Sequence, residues 1–230
     1  MRDLSQLISP GFFGDNAAAD TRRLEFDNKN SQVFVENTPI SLCFIGDSIT
    51  ENWDLDLYFR KYGFLVNRGI GGDIAEHMTK RFDADALQLN PRLCIAMVGI
   101  NNTWGLDDLA PKGETALLEE AERIFSSLRQ SYQLLLKKAQ KSGQPLLMCS
   151  LLPVGCRTYR KQFVLRVNQM LQELCREYRV PYIDYHTALA AEDGMTLQKE
   201  LSWDGLHPHA LGYRRMAEVL YPYLDQFFAE

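Results

Sequence analysis

Short apolar runs alternate along the chain with longer segments in which apolar residues recur at helical spacing. The runs that predict buried β-strands lie at Leu42–Ile45, Phe64–Asn67, Leu93–Val98, Pro145–Leu152 and Val180–Tyr185. Strands that alternate with helices form parallel βαβ units with right-handed crossovers. These runs are almost continuously apolar, as is typical of strands that helices cover on both faces. The pattern therefore predicts one three-layer α/β/α domain with a parallel sheet of about five strands.

Helical spacing is clearest in two long segments, Glu114–Lys141 and Arg157–Tyr178. In the second segment the spaced apolar residues are Phe163, Leu165, Val167, Met170, Leu171 and Leu174. A last helix is predicted from His209 to Phe228. Its buried face is predicted to hold Met216, Val219, Leu220 and Leu224. No repeat or long linker interrupts the alternation, so a single domain is sufficient.

The first forty residues lack this alternation. Residues 1–40 are predicted to be an N-terminal extension that packs on a domain of residues 41–230. The extension is expected to be irregular or locally helical, and Val33–Val35 is a candidate for a short strand. The sequence of the extension does not indicate its role.

The charge of the chain bears on its partners. The 230 residues carry a formal net charge of −5, and no lysine- or arginine-rich block occurs. This balance argues against nucleic acid or an anionic membrane surface as the main partner. A small molecule or a carbohydrate is the expected partner instead.

Targeting features and cysteines indicate the compartment. Residues 1–16 carry charges and Gly-Pro punctuation where a secretory signal needs an apolar core, and the apolar runs are too short to span a bilayer. The five cysteines show no CxxC spacing. Cys43, Cys94 and Cys149 lie in apolar runs, where a cysteine usually acts as a small hydrophobic residue. A reduced cytoplasmic protein with no membrane partner is therefore expected.

Polar and glycine-rich segments follow three of the predicted strands, and a fourth precedes the last helix. These segments are Gly46–Ser48, Asn67–Asp73, Gly99–Asn102 and Asp204–His207. Ligands of open α/β sheets bind outside the carboxyl ends of the strands. The four segments are therefore expected to converge on one edge of the sheet.

Ser48, Asp204 and His207 are the residue types that acyl transfer from an ester requires. A serine hydroxyl is a weak nucleophile and needs a base to accept its proton. His207 would be that base. Asp204, on the same loop, would accept a hydrogen bond from the other ring nitrogen and fix the tautomer. These three are the candidate catalytic residues.

Three donors are candidates for an oxyanion hole. Gly72 can offer its backbone N–H without a Cβ that blocks the approach of substrate. Asn101 can add a side-chain amide, and the backbone N–H of Ser48 is the third donor. Loss of one such donor costs roughly 3–4 kcal/mol of transition-state stabilisation.

Each segment also has a structural interpretation. Gly46–Ser48 taken alone is a common helix cap or turn, with Asp47 as its brace. Gly69–Gly72 could be a flexible turn or a phosphate-binding loop. It does not complete a GxGxxG motif, because Ile74 occupies the last position, so a dinucleotide site is disfavoured. Asn101–Asn102 could be a turn that tolerates left-handed backbone angles.

The histidines raise the question of a metal. Asp204, His207 and His209 could bind one, but no further histidine or carboxylate cluster completes a coordination shell. We therefore expect neither a metal nor another cofactor. His77 and His186 are predicted to be surface or capping groups, and His209 to lie in the first turn of the last helix.

Taken together and in this order, the segments resemble the motifs of the SGNH (GDSL-type) hydrolase superfamily. The resemblance runs from about Leu42 to Tyr213 and rests on Gly46–Thr50, Gly69–Asp73, Gly99–Asn102 and Asp204–His207. The second and third motifs are most similar to bacterial esterases of the platelet-activating-factor acetylhydrolase catalytic-subunit type. Two departures occur. Ile49 and Thr50 follow the serine where the GDSL name has leucine, and Asn102 stands where many members have aspartate.

The resemblance implies a flavodoxin-like fold and a metal-free esterase or lipase. The serine, aspartate and histidine named above would form the triad, and Ser48, Gly72 and Asn101 would line the oxyanion hole. Subunits of the resembling type pair, so a homodimer is implied. The α/β-hydrolase fold shares the order Ser, Asp, His. It is disfavoured because Thr50 occupies the glycine position that its nucleophile elbow requires.

The predicted function is that of a serine esterase that hydrolyses a short-chain ester, with acetyl favoured, through an acyl-enzyme. The short loops leave little sequence for a lid, so an open site that suits an acetylated carbohydrate is expected. Trp53 and Trp104 flank two motifs and are candidates for a wall on which a sugar ring stacks, with ordinary packing as the alternative. Three other functions stay open: a lipid acylhydrolase of the lysophospholipase or thioesterase type, a non-catalytic protein that binds an acylated ligand, and metal-dependent phosphoester hydrolysis.

Overall fold

The computed structural model describes residues 2–14, 17–109, 113–156 and 158–229, and for residues 17–19 it describes the backbone alone. None of the helices in these ranges combines the length and the apolar content needed to cross a lipid bilayer. Cys43, Cys94 and Cys149 are buried free cysteines, as predicted.

Five parallel strands form one sheet, which confirms the predicted fold class. They are β1 (Leu42–Gly46), β2 (Leu65–Gly69), β3 (Leu93–Met97), β4 (Leu146–Cys149) and β5 (Tyr182–Ile183). Their order in the sheet is β2-β1-β3-β4-β5, which is the flavodoxin-like order. Every residue of β1, β3 and β4 is buried, as expected for strands with helices on both sides.

The last two strands are shorter than their apolar runs predicted. The run Val180–Tyr185 yields only the two residues of β5, because Asp184 caps a short helix and accepts a hydrogen bond from the backbone N–H of Thr187 at 3.0 Å. In the run Pro145–Leu152, the side chain of Asn168 binds both the N–H and the carbonyl of Leu151, at 2.8 and 2.9 Å. A side-chain amide thus takes the place of a neighbouring strand there.

Nine α-helices are present in the described ranges. They are α1 (Ala17–Glu36), α2 (Ser48–Glu51), α3 (Leu55–Phe59), α4 (Ala75–Asp85), α5 (Trp104–Leu109), α6 (Glu114–Ser142), α7 (Thr158–Tyr178), α8 (Tyr185–Leu189) and α9 (Ala210–Ala229). The three helices predicted from spacing are confirmed within a residue at each end, although Arg157 lies outside the described residues. Val219, predicted to be buried, is half-buried, and Leu165, one of the apolar residues at helical spacing, is exposed.

The strand predicted at Val33–Val35 is wrong, because these residues belong to α1. The buried side of α1 holds Arg23, Phe26, Asn30 and Phe34, at helical spacing. Two of these four side chains are polar. The apolar periodicity was therefore too weak to predict the length of the helix, although local helix was expected.

The described chain divides into two compact units. The first holds the described residues up to Val98 together with Ser131–Leu147, and the second holds Gly99–Gln130 and the residues from Met148 onward. β1, β2, β3 and α1 to α4 lie in the first unit, whereas α5 and α7 to α9 lie in the second. The predicted boundary between residues 1–40 and 41–230 stays a prediction.

A fully buried guanidinium organises the interior of the first unit. Arg81 of α4 pairs with Asp73 at 2.7 Å and with Asp85 at 3.0 Å. It also donates to the carbonyl oxygens of Gly46 and Arg68, both at 2.9 Å. Arg81, Asp73 and Asp85 are each completely shielded from solvent. Buried charges are tolerated when they are paired and hydrogen-bonded in this way.

Removing this guanidinium should destabilise the fold strongly. We expect Arg81→Leu to lower the free energy of unfolding by about 3–5 kcal/mol, because Asp73 and Asp85 keep buried charges without their partner. Urea denaturation followed by circular dichroism measures this change.

A matched control is Arg215→Leu in α9, because Arg215 forms an exposed pair with Glu218 at 3.5 Å. This control should lose less than about 1 kcal/mol. Equal losses in the two variants would show that the buried pairs do not stabilise the fold as argued.

Candidate active site

Ser48 lies where the first unit turns from strand to helix. β1 ends at Gly46, Asp47 caps the next helix, and Ser48 is the first residue of α2. Asp47 is 1% exposed and accepts a hydrogen bond from the backbone N–H of Ile49 at 3.0 Å, so it braces the turn as predicted. Ser48 itself is half-buried. The serine hydroxyl is thus presented at the carboxyl end of a central strand.

The turn needs glycine at position 46 for steric reasons. A Cβ on Gly46 would lie 2.3 Å from the carbonyl oxygen of Met97 and 2.3 Å from the hydroxyl oxygen of Thr50. Neither neighbour can withdraw without moving β3 or α2. The close packing of these elements therefore explains the first residue of the Gly-Asp-Ser motif.

The glycine segment after β2 packs against α2. The backbone N–H of Gly71 donates to Oε2 of Glu51 at 2.5 Å. A Cβ built on Gly71 would lie 4.0 Å from the Cβ of Ser48, so the two residues are neighbours. Gly72 has a left-handed φ of 76°, which glycine adopts without strain. The structure therefore places this segment beside the serine.

Two residues that the sequence did not single out position this segment. Glu51 follows Ser48 by one helical turn and holds Gly71 as described. Asn67, at the end of the predicted strand, donates to the carbonyl of Thr50 at 2.8 Å and accepts from the N–H of Gly69 at 2.8 Å. A polar side chain within an apolar run was the sequence feature that could have identified Asn67.

Asp204 and His207 form a close pair in the second unit. Oδ2 of Asp204 lies 2.7 Å from Nδ1 of His207. Its other oxygen, Oδ1, accepts the backbone N–H groups of Leu206 and His207 at 2.9 and 2.8 Å, and the hydroxyl of Ser202 at 3.1 Å. The predicted contact between this carboxylate and this imidazole is therefore present. With Nδ1 as the donor to Asp204, Nε2 is the nitrogen that can accept a proton.

The hydrogen bonds set the charge of Asp204. Partial burial alone would raise the pKa of its carboxyl group. Hydrogen bonds from the His207 side chain, from the backbone of His207 and Leu206, and from Ser202 outweigh burial and hold this pKa well below its ordinary value. Asp204 is therefore a carboxylate at neutral pH, as an orienting group for a histidine base must be.

Asn101 lies after β3, in the second unit, and a tryptophan orients it. The indole Nε1–H of Trp104 donates to Oδ1 of Asn101 at 2.9 Å. This bond turns the acceptor end of the amide toward Trp104 and the donor end, Nδ2, to the other side. The guanidinium of Arg160 lies 4.5 Å from the centre of the Trp104 ring and donates to Thr103 Oγ1 at 2.7 Å. The segment that carries Asn101 is thus held from two directions.

The two tryptophans predicted to flank the site differ. Trp104 is 52% exposed. Trp53 is 3% exposed and packs edge-on against Phe44 and Phe59, with ring centres 5.7 and 5.2 Å apart. The packing alternative therefore holds for Trp53, since an aromatic wall for a sugar needs an accessible face.

The remaining histidines are packed or capping groups. His77 and His186 are buried, so the prediction that they are surface groups is wrong. His77 stacks on Phe13 with ring centres 4.8 Å apart, and burial lowers the pKa of His186. His209 directly precedes α9, and its Nδ1 accepts the N–H of Leu211 at 3.2 Å. Among the residues that the structure describes, no group of three or more His, Cys, Asp or Glu side chains is placed to hold a metal ion.

The predicted site residues fall into two groups. Ser48 and Gly72 belong to the first unit, and Asn101, Asp204 and His207 belong to the second. Within the units, the structure places Ser48 beside the glycine segment and Asp204 beside His207. That the two groups of residues form one site stays a prediction.

Comparisons with known proteins bear on the family and the fold of the chain. The model of the GDSL-like lipase/acylhydrolase family matches residues 44–215. An acetylxylan esterase of Xylanibacter ruminicola is 26% identical over 214 residues, which are 79% of this chain and 42% of that protein. An acetylxylan esterase of Geobacillus stearothermophilus is 23% identical over 156 residues, 67% of this chain and 69% of that protein. The chain thus spans less than half of the Xylanibacter relative.

A solved structure shows the same fold. It is described as a candidate platelet activating factor from Streptococcus pneumonia, and it superposes with a TM-score of 0.73. The two chains are 22% identical, and the match covers 90% of this chain and 92% of that one. At this identity, the likeness establishes the fold.

The hydrogen bonds of Asp204 predict a measurable titration. Its carboxyl carbon, followed by ¹³C NMR, should titrate below the ordinary value of 3.8. His207→Ala removes the side-chain hydrogen bond and should raise the midpoint. Because the folded-state pKa lies below the unfolded one, the carboxylate stabilises the fold above the ordinary pKa and loses this effect only as pH falls through the folded-state pKa.

Asp193 is the control for this titration. Hydrogen bonds from Thr196 and from the backbone of Met195 lower its pKa to about 2. His207 is not among the groups that shift this pKa. Its midpoint should be the same in both proteins. An Asp204 midpoint that does not move in His207→Ala would contradict the proposed role of the imidazole contact.

Proposed function

The chain belongs to the GDSL-like lipase/acylhydrolase family, and on that premise we propose that it is a serine esterase that removes acetyl groups from a carbohydrate. The observation that carries the proposal is the contact of 2.7 Å between Asp204 and His207. A carboxylate in this position holds a neutral imidazole in the tautomer that can take a proton from a serine. A base so oriented favours catalysis over a function of binding alone.

The proposed reaction passes through an acyl-enzyme. Nε2 of His207 accepts the hydroxyl proton while Oγ of Ser48 attacks the carbonyl carbon of the ester. When the tetrahedral intermediate collapses, the bond to the alcohol breaks and His207 gives the proton to the leaving alcohol. His207 then takes a proton from water, whose oxygen attacks the acetyl carbonyl, and returns it to Ser48 as acetate leaves. Asp204 remains ionised throughout and stabilises the imidazolium.

The oxyanion of each tetrahedral intermediate is assigned to three donors. These are the backbone N–H groups of Ser48 and Gly72 and the side-chain Nδ2 of Asn101. The left-handed φ of 76° at Gly72 and the fixed acceptor end of the Asn101 amide support this assignment. Donors that are held before the charge develops stabilise it without reorganisation.

The substrate class is supported by the two relatives named acetylxylan esterase. Both are under 30% identical to this chain, so the acetylated carbohydrate remains part of the proposal. A panel of p-nitrophenyl esters should show kcat/KM falling as the acyl chain lengthens from acetate. A rise toward long chains would favour the lipid acylhydrolase instead.

Ser48 should be required for hydrolysis. We expect Ser48→Ala to lower kcat for p-nitrophenyl acetate by roughly 10⁴-fold or more, because no other group forms the acyl-enzyme. The control is Ser126→Ala, which removes an exposed hydroxyl from α6 and should leave the rate unchanged. If Ser48→Ala hydrolyses the ester at the rate of the wild type, the esterase proposal is wrong.

Trp104 should act on the rate through Asn101. Trp104→Phe keeps a ring above Arg160 but removes the N–H that Asn101 accepts. We expect kcat to fall by about tenfold with KM little changed, because the amide is then less well oriented toward the oxyanion.

A double-mutant cycle tests whether Trp104 affects kcat through Asn101. Asn101→Ala alone should lower kcat by roughly 10²–10³-fold, and Trp104→Phe should have little further effect in that background. If Trp104→Phe lowers kcat equally in both backgrounds, then Trp104 acts on the substrate and not through Asn101.

A further inference from the structure

A cavity lies beside the glycine segment in the first unit, and the proposed mechanism does not use it. Its volume is about 480 Å³. The lining residues are Thr21, Arg22 and Glu25 of α1, Glu51 of α2, and Ile70 and Gly71. The N-terminal helix α1 therefore forms one wall of this cavity.

The cavity adjoins the proposed nucleophile. Gly71 lines it, and a Cβ built on Gly71 would lie 4.0 Å from the Cβ of Ser48. Glu51, which also lines it, is one helical turn from Ser48. A group attached to an ester carbonyl at Ser48 would therefore lie beside this cavity.

The chemistry of the wall favours a ligand rich in hydroxyl groups. Arg22 pairs with Glu25 at 2.5 Å and with Glu51 at 3.4 Å, so one cation lies between two carboxylates. A hydroxyl can accept from a guanidinium and donate to a carboxylate at the same time. An apolar acyl chain would have to desolvate these charges without replacing their hydrogen bonds.

Acidic side chains outnumber basic ones in the lining of the cavity. The hydrogen bond from Lys29 lowers the pKa of Glu25, burial opposes this change, and Arg22 adds a smaller lowering. The described lining holds two acidic side chains, Glu25 and Glu51, and one basic side chain, Arg22. This balance disfavours an anionic ligand such as a phosphate ester.

Glu51 connects this wall to the proposed oxyanion hole. One of its oxygens accepts the N–H of Gly71 at 2.5 Å, and the other pairs with Arg22. A ligand that contacts Arg22 thus lies next to the segment that carries Gly72. Arg22 would then hold the sugar, and the adjacent glycine segment would hold the reacting carbonyl.

We propose that this cavity is the subsite for the sugar that carries the acetyl group, with Arg22 and Glu25 of α1 as specificity-determining residues. The proposal rests on the esterase function and gives the N-terminal helix a role in choosing the alcohol. The sugar hydroxyls donate to the Glu25 carboxylate and accept from the Arg22 guanidinium.

The test compares two esters that share the acetyl group but differ in the alcohol. For Arg22→Met and for Glu25→Gln, we measure kcat/KM with acetylated xylobiose and with p-nitrophenyl acetate. The ratio of the first value to the second should fall by roughly tenfold in each variant, mainly through KM for the sugar ester. Leu24→Ala, which alters an exposed residue of α1 outside the cavity, should leave the ratio at the wild-type value.

Two results would overturn the proposal. An unchanged ratio would mean that the cavity does not contact the sugar. An equal loss with both esters would mean that Arg22 acts only by holding Glu51 and the glycine segment. A thermal unfolding curve for each variant, matching that of the wild type, confirms that the fold is retained.

Binding to an inactive variant separates this proposal from the esterase function. In Ser48→Ala, unacetylated xylobiose should shift the amide resonance of Gly71 in ¹H–¹⁵N spectra, and Arg22→Met should weaken this binding. The result does not depend on turnover. Failure of the esterase function would instead appear as p-nitrophenyl acetate hydrolysis that is insensitive to Ser48→Ala.

Discussion

The guanidinium of Arg81 is the constraint on which the nucleophile side of the structure depends. It binds the carbonyl of Gly46 at 2.9 Å, just before the serine turn, and the carboxylate of Asp73, just after the proposed oxyanion glycine. One rigid, planar cation thus fixes the end of β1 and the end of the glycine segment together. Because Arg81 is completely buried, water cannot replace Gly46 or Asp73 as its hydrogen-bond partner. The positions of these two partners therefore fix the geometry of the serine turn.

In the second unit, hydrogen bonds between residues close in sequence hold the proposed catalytic loop in place. Asp204 uses its two oxygens for four hydrogen bonds within a few residues of chain, so the loop that carries His207 folds around the carboxylate. Trp104 donates a hydrogen bond to Asn101, and Arg160 lies over the Trp104 ring and donates to Thr103 in the same segment. Proposed catalytic groups on loops are therefore positioned by side chains that do not themselves contact the reacting atoms.

The parts of the fold that depend on local pattern were predictable, and those that depend on distant partners were not. The strand runs and the Asp204–His207 contact follow from apolar continuity and from close sequence spacing. The length of helix α1 was not predicted, because its buried side carries Arg23 and Asn30, whose partners lie far along the chain. The role of Glu51 was hidden for the same reason, since its acceptor position is defined only once β2 lies beside α2.

The glycines near the serine are explained by packing more than by flexibility. A Cβ on Gly69 would lie 2.1 Å from the backbone nitrogen of Glu51, so β2 and α2 can approach this closely only when that residue is glycine. The same approach brings the N–H of Gly71 to the Glu51 carboxylate. The spacing of the glycine motif is thus a consequence of how α2 lies against β2. Glu51, which no motif contains, belongs to the proposed site as much as the glycines that it holds.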